Sequence, residues 1–330
     1  MNETLKKLAL LAGWAVLQAG CVTAAPDAAL RFDYADRRTY RELAKPCPDF
    51  GALTNEVVTL SNRFGTARIS LVGANVFSYV PAGGRDVFFL AEKHADFTSG
   101  QFVHGGVPVV WPWFNMNGDA GSMQHGFARC APWKVVEKAE TPDVSRLTLE
   151  LVSTDETRRI WPYDFRLTYV ITLSEQLQLS LVVRNTGKLS FSMTEGFHSY
   201  FRVSDVDTVV LRGLNNCRNE TFDVTTNERE VFKGDLKWTA GEGRVFSPSW
   251  SGEYVLFDEG YGRALAIAAR GHRKMTLWSV TSEDRDPQFG ADDWKHFACV
   301  EPSTLCRESA ITVAPGKEYE LRMSVKAVSL

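Results

Sequence analysis

From Val57 onward the apolar residues recur mostly at every second position, the period of strands that bury one face. Leu147, Leu149 and Leu151 share a face, as do Phe165, Leu167, Tyr169, Ile171 and Leu173. Leu177, Leu179, Leu181 and Val183 follow a break at Ser174-Glu175-Gln176, and Arg184-Asn185-Thr186-Gly187 has the composition of a turn. At the C-terminal end Tyr319, Leu321, Met323 and Val325 alternate with Glu320, Arg322, Ser324 and Lys326. Beyond the leader described next, only the polar stretch from Tyr34 to Leu43 carries helical signals. The pattern predicts an all-β fold of antiparallel strands, one large sandwich over residues 57–330, with no linker or internal repeat.

The first residues read differently. Lys6 and Lys7 precede an apolar run from Leu8 to Val16, and small residues follow at Val22-Thr23-Ala24, the layout of an export signal cleaved after Ala24. Residues 1–24 are therefore expected to be a signal peptide and 25–56 an N-terminal extension. Leu17-Gln18-Ala19-Gly20-Cys21 offers a competing lipoprotein reading, with the signal ending at residue 20 and Cys21 lipidated. Either route predicts an exported protein, periplasmic or extracellular, whose only membrane attachment would be through Cys21.

Removing Glu3, Lys6 and Lys7 with the signal takes the formal charge from −3 to −4, and no basic tract remains to follow a phosphate backbone. Nucleic acid is excluded as a partner, and a monomer is expected. Cys47, Cys130, Cys217, Cys299 and Cys306 remain, an odd set without CxxC spacing, so neither a zinc site nor a disulfide-dense scaffold is indicated. No pair among His94, His104, His125, His198, His272 and His296 has HxH or HxxxH spacing, so no metal and no cofactor is expected.

Four segments carry chemistry. Gly105-Gly106-Val107-Pro108-Val109-Val110-Trp111-Pro112-Trp113-Phe114 combines glycines that allow close backbone approach with aromatic faces suited to a sugar ring. His125-Gly126-Phe127-Ala128-Arg129 sets a histidine and an arginine four residues apart, both able to hydrogen-bond hydroxyls. His198 lies among Phe197, Tyr200 and Phe201, where an aromatic-core histidine is the bland alternative. Glu301, between Phe297-Ala298-Cys299-Val300 and Pro302, weighs against that alternative, because a carboxylate there is costly to bury without a purpose.

In this order the four segments resemble the aldose 1-epimerase superfamily, and more closely its hexose-6-phosphate mutarotase branch. Ser153 to Phe165 resembles a further segment of that branch, and the likeness runs from about Val57 to Val325. The resemblance implies a galactose-mutarotase-like β-supersandwich that interconverts the α and β anomers of an aldohexose or hexose 6-phosphate. It assigns His198 as general acid toward the ring oxygen and Glu301 as general base on the anomeric hydroxyl, with His125 and Arg129 binding substrate. Trp111, His104 and Asp205 are further substrate-binding candidates. His104 is a departure, since the branch usually carries arginine there, and a neutral imidazole is a poorer phosphate ligand than a guanidinium. Glu195 is a second departure, and strand alternation puts it on the face opposite His198. The competing function is a non-catalytic carbohydrate-binding protein on the same scaffold, which would have no need of a matched acid and base.

Overall fold

A computed structural model of the chain describes residues 47–48, 50–51, 53–54, 56–91, 93, 103–115, 123–221, 231–248, 252–284, 286, 288–305 and 309–330. The expected leader, Cys21, the Tyr34 to Leu43 stretch, most of the N-terminal extension, His94 and Cys306 lie outside the described residues.

The chain opens with the antiparallel meander β1 (Val57–Asn62), β2 (Gly65–Ser70) and β3 (Val76–Pro81). After the short strand β4 (Val109–Val110) come β5 (Lys134–Glu140), β6 (Ser145–Val152), β7 (Phe165–Leu173) and β8 (Leu177–Asn185), each antiparallel to the next. The β7–β8 register pairs Phe165 with Asn185 and Leu173 with Leu177, which keeps the predicted apolar positions of both strands on one buried face. The predicted turn follows, with the Asn185 side-chain carbonyl accepting from the Gly187 N–H.

A six-residue helix, α1 (Asp155–Ile160), interrupts the meander between β6 and β7 where the periodicity predicts none. Too short to show an apolar repeat, it is fixed at its start by a reciprocal capping box between Thr154 and Thr157.

The remaining strands are β9 (Phe191–Met193), β10 (Gly196–Phe197), β11 (Tyr200–Arg202), β12 (Val210–Arg212), β13 (Arg218–Thr221), β14 (Leu236–Lys237), β15 (Gly243–Ser247), β16 (Gly252–Asp258), β17 (Arg263–Arg270), β18 (Lys274–Trp278), β19 (Phe297–Ser303), β20 (Ile311–Val313) and β21 (Glu318–Ser329). A nine-stranded sheet runs β14-β12-β16-β17-β21-β8-β7-β6-β5, and a seven-stranded sheet runs β13-β15-β18-β19-β10-β4 with β11 also on β19. Every strand pair is antiparallel among the described residues.

The two large sheets share one core. Leu149, Tyr169, Leu179 and Met323 of the larger sheet belong to the same buried cluster as Val109, Phe197, Met275, Ala298 and Val300 of the smaller one. Each such aliphatic or aromatic side chain contributes roughly 1.5–3 kcal/mol by leaving water. Strand β19 is buried along its whole length, on both faces, so its second face is covered by something other than the shared core.

Candidate active site

Alternation along β19 sorts its side chains. Ala298 and Val300 point into the shared core, while Phe297 and Cys299 join a separate aromatic cluster on the opposite face, and Glu301 follows them two residues on. The neighbouring chain is sorted in the same way, with Phe197 and Phe201 in the core and Tyr200 in the outer cluster. His198, one residue beyond a core position, falls on the same side as Cys299 and Glu301.

This brings His198 and Glu301 together. His198 Nδ1 stands 3.5 Å from Glu301 Oε1, and neither that nitrogen nor either Glu301 oxygen has a hydrogen-bond partner among the described residues. The glutamate side chain is 1% exposed and the imidazole 9%, so the pair is approached from the histidine side. Its N–H to the Pro108 carbonyl holds the His198 backbone, and Tyr200 stacks flat on its ring at 4.8 Å. Trp278 meets the same ring edge-on at 5.7 Å, and His125 does so at 5.3 Å.

Burial governs the protonation of the pair. It pushes His198 down to about 3, with nearby His104 and Arg129 adding to the effect, and raises Glu301 well above the usual carboxylate range. Burial therefore favours a protonated carboxyl on Glu301 beside a neutral imidazole on His198. A general base must be ionised when it takes the anomeric proton, and desolvation opposes that form until substrate is bound.

His125 adopts a left-handed backbone (φ 61°), uncommon for a residue other than glycine, as does Asn115 (φ 58°) across the loop. The two are tied by the His125 N–H to the Asn115 carbonyl and by the Asn115 N–H to His125 Nδ1 at 3.1 Å. With Nδ1 accepting, the neutral ring carries its proton on Nε2. Gly126 also has positive φ, and a Cβ there would fall 2.1 Å from the Trp111 carbonyl oxygen, so only glycine lets this loop pack on the Trp111-Pro112 backbone. Arg129 donates Nη2–H to the Gln124 carbonyl at 2.6 Å. Burial lowers its guanidinium to about 9, which leaves a cation at neutral pH, near enough to His125 and His198 to depress both.

Three of the expected substrate-binding residues have structural partners of their own. Trp111 is fully buried, packed on Phe127, Trp161 and Phe165, with its indole N–H directed at the Met193 sulfur. It is a core residue because it follows Val110, which faces away from the shared core. Asp205 accepts from the Asp207 N–H and caps a short 3-10 turn. His104 reaches the wall of the site but has both ring nitrogens engaged, Nδ1 with the Tyr200 hydroxyl at 2.9 Å and Nε2 with Asp286 at 3.0 Å. Because the carboxylate can only accept, Nε2 carries a proton toward Asp286, and Nδ1 is left to hold the Tyr200 hydroxyl. His104 thus positions Tyr200, which in turn supports the His198 ring.

Tyr200, Trp278 and Cys299 escaped the sequence reading. Tyr200 and Cys299 lie two residues from His198 and Glu301, so the strand period could have found them. Glu195 faces the inter-sheet side, close enough to Tyr319 of the larger sheet to perturb it, and is outside the site as alternation requires.

The aldose 1-epimerase family profile matches residues 56–326, most of the chain. The chain belongs to the aldose 1-epimerase family. Two relatives named "Putative glucose-6-phosphate 1-epimerase" are similar to this family member. The one from Escherichia coli (strain K12) is 29% identical over 252 residues, 74% of this chain and 82% of the relative. The one from Cenchrus ciliaris is 29% identical over 289 residues, 83% of this chain and 84% of the relative. Among solved structures, one described as "a putative mutarotase" from Salmonella typhimurium superposes with a TM-score of 0.75 at 26% identity, covering 83% of this chain and 90% of that one. The Slr1438 protein of Synechocystis shares the fold at 20% identity, with a TM-score of 0.68 over 85% of this chain and 98% of that one. The galactose-mutarotase-like all-β fold expected from the sequence is the fold of the chain.

Proposed function

We propose that this aldose 1-epimerase family member is a mutarotase that interconverts the anomers of an aldohexose through His198 and Glu301. The observation that carries the proposal is the convergence of these two side chains, one from the link between β10 and β11 and one from β19, to 3.5 Å in a buried setting where neither is used by the fold. Ring opening removes a proton from the anomeric hydroxyl and adds one to the ring oxygen. Both oxygens are bonded to the same carbon, so acid and base must meet at one place, as this pair does.

The site holds the one proton the reaction needs. An anomeric hydroxyl donating to Glu301 favours its ionised form and shifts the resident proton to His198. Glu301 then takes the anomeric proton while the His198 imidazolium protonates the ring oxygen, and the open-chain aldehyde leaves Glu301 protonated and His198 neutral. Rotation about the bond to the aldehyde carbon presents its other face, and the same transfers in reverse close the other anomer. No proton is gained or lost over the cycle. His125, through Nε2–H, and Arg129 are proposed to hold sugar hydroxyls.

An unphosphorylated sugar or sugar acid is the proposed natural substrate. The His104 imidazole, held against Asp286, offers a phosphate no permanent charge, and a carboxylate stands behind it. Export from the cytoplasm is proposed on the Lys6 to Ala24 pattern and is supported by the Cys47–Cys130 disulfide, a bond that persists in oxidising compartments. Polarimetry of freshly dissolved α-glucose and α-galactose, with exchange measurements on glucose 6-phosphate, tests the substrate for wild type and His104→Arg. The expected result is faster turnover of the neutral sugars by wild type and a gain on the phosphosugar in the variant. A strong native preference for the phosphosugar, unchanged by the substitution, would refute the specificity argument.

A further inference from the structure

Cys299 has no part in acid and base chemistry, yet it is a free, fully buried thiol on the face of β19 that carries Glu301. Its sulfur, one His198 ring nitrogen and one Glu301 oxygen all lie within 4.8 Å of one another. Three of the buried polar atoms in this group, His198 Nδ1 and both Glu301 oxygens, lack hydrogen-bond partners among the described residues.

We propose that His198, Cys299 and Glu301 form a binding site for one thiophilic divalent cation of the zinc class, which shuts the active site reversibly. Nitrogen and oxygen ligands at about 2.0–2.1 Å from a tetrahedral ion stand roughly 3.4 Å apart. The His198 Nδ1 to Glu301 Oε1 separation of 3.5 Å matches that spacing before any movement. A thiolate, an imidazole and a carboxylate select Zn²⁺ over Mg²⁺ and Ca²⁺, which take oxygen ligands. Coordination sends two protons to solvent, one from Cys299 and one from Glu301, and thiolate and carboxylate then neutralise the doubly charged ion, so no net charge is left buried. Three protein ligands leave a fourth position open on the His198 side, where a water would complete the shell.

Occupancy consumes both groups that move protons, so the ion and the sugar exclude each other. The inhibition rests on the mutarotase reading, whereas the binding does not. The test adds Zn²⁺ to metal-free wild type and follows anomer exchange, with Mg²⁺ as control, while calorimetry measures binding without any turnover.

One equivalent of Zn²⁺ is expected to bind and to stop exchange in competition with sugar, a chelator to restore it, and Mg²⁺ to do neither. Cys299→Ala and Cys299→Ser, each compared with its own metal-free rate, are expected to need about tenfold more Zn²⁺ or greater for half inhibition. Co²⁺ gives an independent signature, a thiolate-to-metal absorption band present in wild type and missing in the Cys299 variants. Wild type that binds no Zn²⁺ and gives no such band with Co²⁺ would overturn the proposal, whatever its mutarotase activity. Equal Zn²⁺ inhibition of wild type and both Cys299 variants would overturn it as well, by moving the ion elsewhere.

Discussion

Glu195 is the buried acid the reaction does not use, and replacing it with glutamine has a calculable consequence. Its side chain is fully buried, and neither carboxyl oxygen has a hydrogen-bond partner among the described residues. Its backbone is fixed, because the N–H donates to the Thr304 hydroxyl and the carbonyl accepts from the Thr304 N–H. Desolvation raises its carboxyl from 4.5 to about 8. Between those two values the folded chain keeps a proton that the unfolded chain releases, so stability falls as pH rises. The contribution is complete below the unfolded value and is lost as pH climbs through the folded one. At about 1.4 kcal/mol per pH unit, the span amounts to about 4–5 kcal/mol. Glutamine has the same shape and does not titrate, so Glu195→Gln removes this slope while Glu301, raised in both proteins, continues to contribute its own. The assay is denaturant unfolding of both proteins at a mildly acidic and a mildly alkaline pH. The variant is expected to fall less in stability than wild type between them, by up to that amount. Parallel losses in the two proteins would refute the claim that Glu195 is buried without a charge partner.

Two further outcomes follow from the same geometry. The proton shared by His198 and Glu301 is removed above the raised carboxyl range and joined by a second only near about 3, so kcat/KM is expected to stay level through mildly acidic and neutral pH. An inflection at the ordinary histidine value, about 6.5, would contradict the buried pair. The Cys47–Cys130 disulfide spans 83 residues, and losing it should cost roughly 4–5 kcal/mol on chain-entropy grounds. Reductant should lower the unfolding midpoint of wild type but not of a Cys47→Ala, Cys130→Ala double variant, and an indifferent wild type would argue against the bond.

The fold was legible because two-residue periodicity is a direct imprint of one buried face, and β6, β7, β8 and β21 follow it. Helix α1 was not, because its start depends on side-chain capping at Thr154 rather than on an apolar repeat. Within the site, His198 and Glu301 stood out as polar groups where burial is expensive. Trp111 misled because an aromatic beside Pro112 reads alike in a binding wall and in a core; only the parity of β4 separates the two. His104 and Asp286 are 182 residues apart, and their contact is a product of tertiary structure that neither local segment encodes. The resting protonation was equally hidden, since desolvation belongs to the folded surroundings and not to the residue type.

The central claim is that His198 and Glu301 together move the two protons of ring opening, and anomer exchange by magnetisation-transfer NMR on equilibrated sugar tests it most directly. Glu301→Gln and His198→Asn are each expected to slow exchange by about 10²–10⁴-fold, and the double variant by little more than either one, because the groups act in a single step. Wild-type exchange rates in folded Glu301→Gln, or losses that multiply in the double variant, would contradict it.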